Sequence, residues 1–109
     1  MALVLAADDL QHRVIIESLL ETQSVDGDVT ATPVTFATRW AEITSLSGRE
    51  LDRARQIAAT ASVRIRMRYL AGVTPGMQVR YGSRVLGIES AQNTNEANIE
   101  TVLLCSERT

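Results

Sequence analysis

The chain has 109 residues, of which 45% are hydrophobic and 22% charged, and its formal net charge is −2. This length suits one domain with a modest core. The slightly acidic balance is not typical of a protein held on nucleic acid by phosphate contacts. A single cysteine, Cys105, excludes an intramolecular disulfide framework and a cysteine-based zinc site, and a single histidine, His12, excludes an HExxH metal helix.

Two β-strands are predicted in the first half of the chain. Residues 13–20 are rich in β-branched side chains, and residues 34–43 place Val34, Phe36, Thr38 and Trp40 on one face if extended. The polar residues 21–32 between them contain Asp26-Gly27-Asp28 and few apolar anchors. They form either a hairpin loop or a mobile excursion.

A helix is predicted over residues 48–59, where the apolar spacing changes. Ser47 and Glu50 have the spacing of a capping box. Behind them, a narrow and alanine-rich stripe recurs at helical intervals, formed by Leu51, Ala54, Ile57 and Ala58. Such a stripe would hold the helix only weakly on a monomer.

Four further strands are predicted over residues 63–69, 77–81, 84–90 and 99–105. The first of them alternates apolar residues with arginines without exception, and Gly82-Ser83 has the form of a tight hairpin turn. The expected fold is mainly β, a small antiparallel six-stranded barrel or sandwich with one short α-helix between the second and third strands. The side chains expected to anchor the core are Val14, Ile16, Phe36, Trp40, Ile65, Met67, Tyr69, Ile88 and Leu103.

The basic residues have an unusual distribution. All eleven are arginine, and six fall within the helix and the strand that follows it: Arg49, Arg53, Arg55, Arg64, Arg66 and Arg68. On the strand they could form a solvated face, a contact with an acidic protein surface, or a grip on a phosphate backbone. The guanidinium group favours interfaces because it makes bidentate contacts and is weakly hydrated. These six residues are therefore the candidate subunit or partner interface.

No catalytic, metal-binding or cofactor-binding site is predicted, and no cofactor is expected. His12 lacks a recognisable nucleophile or orienting partner, and Cys105 is expected to be a small buried residue. Residues 1–7 are apolar but too few to span a bilayer, and they lack the basic flank of a signal peptide. We expect an intracellular, non-enzymatic protein without a membrane partner, a single domain over residues 1–109, and a flexible tail at residues 1–9.

An ordered set of short motifs spreads from Leu10 to Glu107. It includes Trp40-Ala41, the Ser47-Gly48-Arg49-Glu50 helix start and an Ile-Arg-x-Arg-Tyr strand that ends at Tyr69. Together these motifs resemble the phage head–tail joining protein family, the small connector (head-closure or stopper) proteins of long-tailed phages and prophages. No single motif is specific, and the resemblance depends on their order along nearly the whole chain.

The resemblance implies a structural virion protein with a small β-barrel and a helix-bearing excursion. Such a protein would assemble in the host cytoplasm as a ring of about twelve copies beneath the portal or adaptor protein. The ring would close the filled capsid and present the docking surface for tail-completion or tail proteins, with channel DNA as a further contact. The alternative function is a small nucleic-acid-binding β-barrel whose arginine strand follows a phosphate backbone.

Overall fold

The computed structural model describes residues 10–93 and 96–108. The predicted tail at residues 1–9 lies outside this range. Six strands and one helix follow in the predicted order: β1 (His12–Gln23), β2 (Val29–Ser45), α1 (Gly48–Ile57), β3 (Val63–Arg68), β4 (Gln78–Tyr81), β5 (Arg84–Asn93) and β6 (Glu100–Arg108). The mainly β fold with its helix between β2 and β3 is as predicted.

All strand pairs are antiparallel, and the sheet closes on itself in the order β1–β2–β3–β6–β5–β4. Closure depends on a short ladder between β1 and β4, in which Ile15, Ile16 and Glu17 oppose Arg80, Val79 and Gln78. A closed sheet has no free edge along the paired segments, which removes the usual template for edge-to-edge aggregation. The structure is therefore a barrel rather than an open sandwich.

The core fills the barrel with alternate side chains from every strand. Its fully buried members include Val14, Ile16, Ile65, Met67 and Leu103, and Ile88 is 3% exposed. These six of the nine expected anchors lie inside because strand alternation points them to the same side of the sheet. Cys105 is buried among them.

The other three expected anchors, Phe36, Trp40 and Tyr69, lie outside the core. Trp40 is 50% exposed, because the inward position on this part of β2 belongs to Ala41 and alternation turns Trp40 outward. Phe36 is the extra residue of a β-bulge, since Ile16 pairs with Ala37 and Glu17 pairs with Thr35. Tyr69 is 37% exposed because it follows Arg68, the last residue of β3, at the open end of the barrel.

The helix is also shorter than predicted and lacks the capping box. α1 ends at Ile57, and the Ser47 side chain makes no capping hydrogen bond, although Ser47 occupies the N-cap position. Gly48, the next residue, has φ +56°, which is left-handed rather than helical. We attribute the missing bond to this departure, which turns the first peptide out of the geometry that a capping box requires.

Candidate interaction surfaces

The first candidate surface is a protruding hairpin, which we call the arm and define as residues 18–34. Its two strands pair from Ser18 opposite Val34 to Gln23 opposite Val29, and no third strand pairs with them in the described part of the chain. Six pairs span roughly 20 Å at the usual strand rise. The predicted loop at residues 21–32 is thus mostly paired strand.

The tip of the arm is a closed, hydrogen-bonded turn. Ser24 N–H donates to the Asp28 carbonyl at 2.8 Å, and Gly27 N–H donates to the Ser24 carbonyl at 3.0 Å. The Ser24 hydroxyl also accepts a bond from Asp28 N–H at 3.2 Å. This turn presents Val25 fully exposed, with the exposed Asp26 and Asp28 close behind it in sequence.

Almost every residue of the arm is exposed on both faces of the ribbon. The large apolar residues among them are Leu20, Val25, Val29 and Val34. An isolated two-stranded hairpin is at best marginally stable in water, because it has no third strand or helix against which to bury a face. The arm therefore has the properties of a surface that is completed by another protein chain.

The second candidate surface lies between α1 and the outside of the barrel. The helix rests on a small apolar cluster formed by Leu46, Ala54, Ala58, Ala61 and Leu104, with Leu51 beside it. Alanine-rich contacts leave space along the helix, and an open groove of about 290 Å³ remains there. We call this space the groove; the residues that line it are Leu46, Glu50, Arg53, Ala54, Ile57, Arg64, Gln92, Val102 and Leu104.

The groove combines an apolar surface with charged side chains. Val102 and Leu104 come from β6, and Ile57, which is 61% exposed, comes from the end of α1. Arg53 and Arg64 line the same space from the helix and from β3, while Glu50 lies at the start of the helix. The groove suits an apolar side chain that is accompanied by carboxylates.

The structure distributes the six candidate arginines over different environments. Only Arg53 and Arg64 meet in the groove. Arg55 Nε donates to the Ala61 carbonyl at 3.3 Å, which ties the helix to the turn that follows it. Arg49 and Arg68 are exposed.

Arg66, at the centre of β3, serves the sheet itself. Its Nη2 lies 3.2 Å from Glu42 Oε2 on β2, and its Nε lies 3.8 Å from Glu100 Oε2 on β6. Register brings these three side chains together, because Glu42 lies directly opposite Arg66 and Glu100 is a diagonal neighbour, two residues before the opposing Val102. The alternating arginine strand is therefore partly neutralised by neighbouring carboxylates.

Trp40 forms an exposed feature that the sequence reasoning missed. It pairs with Arg13 across the β1–β2 ladder, and Arg13 Cζ lies 5.7 Å from the centroid of the Trp40 ring. This is the range of a cation–π contact, in which the guanidinium covers part of an indole that the core does not bury. The direct pairing of a cationic and an aromatic residue was not visible until the register of the two strands was known.

His12 also has a structural partner. Its Nδ1 lies 2.9 Å from the Tyr81 hydroxyl, and the two rings meet edge to face with centroids 5.1 Å apart. The contact joins the start of β1 to the end of β4. Among residues 10–93 and 96–108, no group of three His, Cys, Asp or Glu side chains is arranged to hold a metal ion.

Burial makes the thiol of Cys105 difficult to ionise. Desolvation by burial raises the pKa of Cys105 from 9.0 to about 12, and the nearby Glu89 carboxylate adds to the shift. A thiol with this pKa stays protonated at neutral pH and is a poor nucleophile.

The chain resembles known proteins both in sequence and in fold. Residues 5–108 match the sequence model of the phage head completion protein family. No curated protein sequence matches significantly. In the described part of the chain, no helix is both long enough and apolar enough to cross a membrane.

Two solved structures share the fold. The solution structure of a protein from Shigella flexneri 2a is 23% identical, with a TM-score of 0.72, and the match covers 94% of this chain and 96% of that one. A chain in the virion of a native gene transfer agent particle is 17% identical, with a TM-score of 0.62 and coverage of 91% and 96%. At these identities the likeness concerns the fold.

Proposed function

We propose that this chain, which belongs to the phage head completion protein family, closes the DNA-filled head as a ring beneath the portal or adaptor protein and offers a docking surface to the tail. The observation that carries the proposal is the family match over residues 5–108, which spans nearly the whole domain. Proteins of this family are structural components of virions. The finer steps, ring formation and tail docking, are inferred from the surfaces of the molecule.

Ring formation is supported by two unlike surfaces on one subunit. A ring of identical copies uses heterologous contacts, in which one patch of each subunit meets a different patch of the next. The arm and the groove are two such patches, one protruding and acidic at its tip, the other recessed and flanked by arginines. A symmetric dimer would instead need one self-complementary patch.

The proposed partners are further copies of the chain, the portal or adaptor above the ring, and tail-completion or tail proteins below it. The arm and Trp40 carry exposed apolar surface that such contacts would bury. Channel DNA is a secondary partner. The protein would assemble in the host cytoplasm and remain in the virion.

Deletion of the gene from its phage or prophage tests this function. We expect heads that lose their packaged DNA and free tails to accumulate without joining, and we expect the chain supplied from a plasmid to restore infectious particles. Electron microscopy of the restored particles should show added density between head and tail. Normal joining in the deletion strain would refute the proposal.

The alternative, a nucleic-acid-binding barrel, draws on the alternating arginines of β3. Arg66 lies within ion-pair distance of Glu42 and Glu100, which lowers the positive potential of that strand. A titration with single- and double-stranded DNA at several salt concentrations separates the two functions. Tight binding by the free chain that weakens steeply with salt would favour the nucleic-acid alternative.

A further inference from the structure

We infer that the tip of the arm of one subunit docks in the groove of a second copy of this chain. The inference rests on the proposed function, since it names the contact through which a ring would form. Val25 would enter the apolar part of the groove, and Asp26 and Asp28 would meet Arg53 and Arg64. The occupant of the groove is thus the same chain, in a neighbouring subunit.

The tip and the groove are complementary in shape. The turn projects one fully exposed aliphatic side chain, Val25, at the end of a narrow two-stranded ribbon. The groove is an open space of about 290 Å³ whose apolar lining includes Leu46, Ile57 and Val102. It can receive an aliphatic side chain and part of the turn that carries it.

The two surfaces are also complementary in charge. Asp26 and Asp28 give the tip two negative charges with no basic residue between Leu20 and Phe36. Arg53 and Arg64 give the groove two positive charges, and Glu50 leaves it with a net positive charge of one. Guanidinium groups bind carboxylates by charge-assisted hydrogen bonds, so this pairing favours the tip over a basic or neutral segment.

An arm does not reach the groove of its own subunit. In the chain, the tip of the arm lies just before β2 and α1 lies just after β2. The tip and the helix are therefore at opposite ends of this strand of 17 residues. At about 3.3 Å per residue, such a strand is roughly 55 Å long. The molecule itself measures 56 Å along its longest axis and 27 Å along the others. Contact between tip and groove therefore requires two copies, and because the patches differ, it can continue from copy to copy around a ring.

Charge reversal at each surface tests the contact. We expect the arm variant, Asp26→Arg with Asp28→Arg, to fail to complement a deletion of the gene. The groove variant, Arg53→Asp with Arg64→Asp, should fail in the same way. Co-expression of the two variants should restore infectious particles, because each arm then finds a groove of opposite charge on the other variant. Circular dichroism melts of both variants show whether each one folds.

Disulfide trapping provides a second readout on the purified chain. Val25→Cys combined with Ile57→Cys should give a ladder of cross-linked dimers, trimers and larger species on mild oxidation. The matched control combines Val25→Cys with Ser83→Cys, which lies in the exposed turn between β4 and β5, and should give no ladder above background. The buried Cys105 is left in place in both.

These experiments distinguish failure of the contact between arm and groove from failure of the proposed function. Failure of the unaltered chain to complement the deletion would overturn the proposed function, and the cross-linking result would then decide the contact alone. If the unaltered chain complements and the folded groove variant complements equally well, the arm does not dock there. Equal ladders from the two cysteine pairs would also overturn the inference.

Discussion

The carboxylate of Glu17 accepts a 2.8 Å hydrogen bond from the side-chain amide of Gln78, and both residues are buried. The same oxygen, Oε1, accepts a 3.2 Å bond from Arg80 Nε. Glu17 and Gln78 form the last rung of the β1–β4 ladder, where β1 leaves the barrel and continues as the arm. The root of the arm is thus fixed by a polar cluster of the buried Glu17 and Gln78 with the partly exposed Arg80.

Replacement of Glu17 by alanine should lower the free energy of unfolding by about 1–3 kcal/mol, because it removes a charge-assisted bond from buried polar groups. Urea denaturation monitored by tryptophan fluorescence and circular dichroism measures the change. Glu21→Ala is the matched control, since Glu21 is an exposed carboxylate on the arm and should cost little. Equal stability of the two variants would show that the Glu17 cluster does not stabilise the barrel.

A second contact at the root of the arm joins Phe36 to Gly72. Gly72 has φ +89°, and a Cβ placed there would lie 3.0 Å from Phe36 Cζ. The bulge turns the Phe36 ring out of the core and against this loop between β3 and β4. Gly72→Ala should therefore destabilise the protein both through its backbone angle and through the ring.

Gly27 supplies the matched control for this prediction. It has nearly the same backbone angle, φ +90°, but no atom lies within 4 Å of the place where its Cβ would be. Gly27→Ala should lower the free energy of unfolding only through the strained backbone angle, by about 1–2 kcal/mol. A larger loss in Gly72→Ala than in Gly27→Ala, measured by thermal or urea unfolding, would isolate the contact with Phe36. Equal losses would contradict it.

The sequence predicted the order of elements because alternation and turn residues are local signals. It did not predict the face of β2, for a physical reason. The inward position near the end of β2 belongs to Ala41, which turns Trp40 outward, and the bulge at Phe36 interrupts the alternation before it. Both faces of β2 carry mixed residues, and only pairing with β1 and β3 determines which one is inside.

The groove could not be predicted from the sequence either. Leu51, Ala54 and Ala58 of the predicted stripe pack in the apolar cluster under α1, whereas Ile57 is 61% exposed. Val102 and Leu104, which complete the groove, come from β6 and meet the helix only in the closed barrel. The arginines were recognised as a group by their clustering. Their separation into groove, sheet and solvent depends on the register of β2, β3 and β6.

Arg66 should behave differently from its neighbour on the same face of β3. Arg66→Ser would remove the ion pair with the nearly buried Glu100 as well as that with Glu42, at a cost of about 1–2 kcal/mol. Arg68→Ser, at an exposed position, should change the free energy of unfolding by less than about 0.5 kcal/mol. Urea titration of the two variants side by side tests this difference. Similar stabilities would mean that Arg66 does not stabilise the sheet.

Cys105 should resist thiol reagents in the folded protein. Its thiol is buried and its pKa lies near 12, so almost no thiolate forms at pH 8. Ellman's reagent should release one equivalent of chromophore only after urea is added, since the chain has a single cysteine. A Ser83→Cys variant, with its new thiol in an exposed turn, should react at once with one equivalent. Rapid reaction of the unaltered folded chain would contradict the burial.

The raised pKa of Cys105 also predicts how stability depends on pH. Between pH 9.0 and about 12 the unfolded chain has lost the thiol proton while the folded chain retains it. The folded state then binds more protons, so the free energy of unfolding falls as pH rises, by up to about 1.4 kcal/mol per unit. Below pH 9 the thiol keeps its proton in both states, so Cys105 causes no loss of stability there. Urea titrations from pH 8 to 11 should show a steeper decline for the unaltered chain than for Cys105→Ala, which lacks the group; parallel declines would refute the assignment.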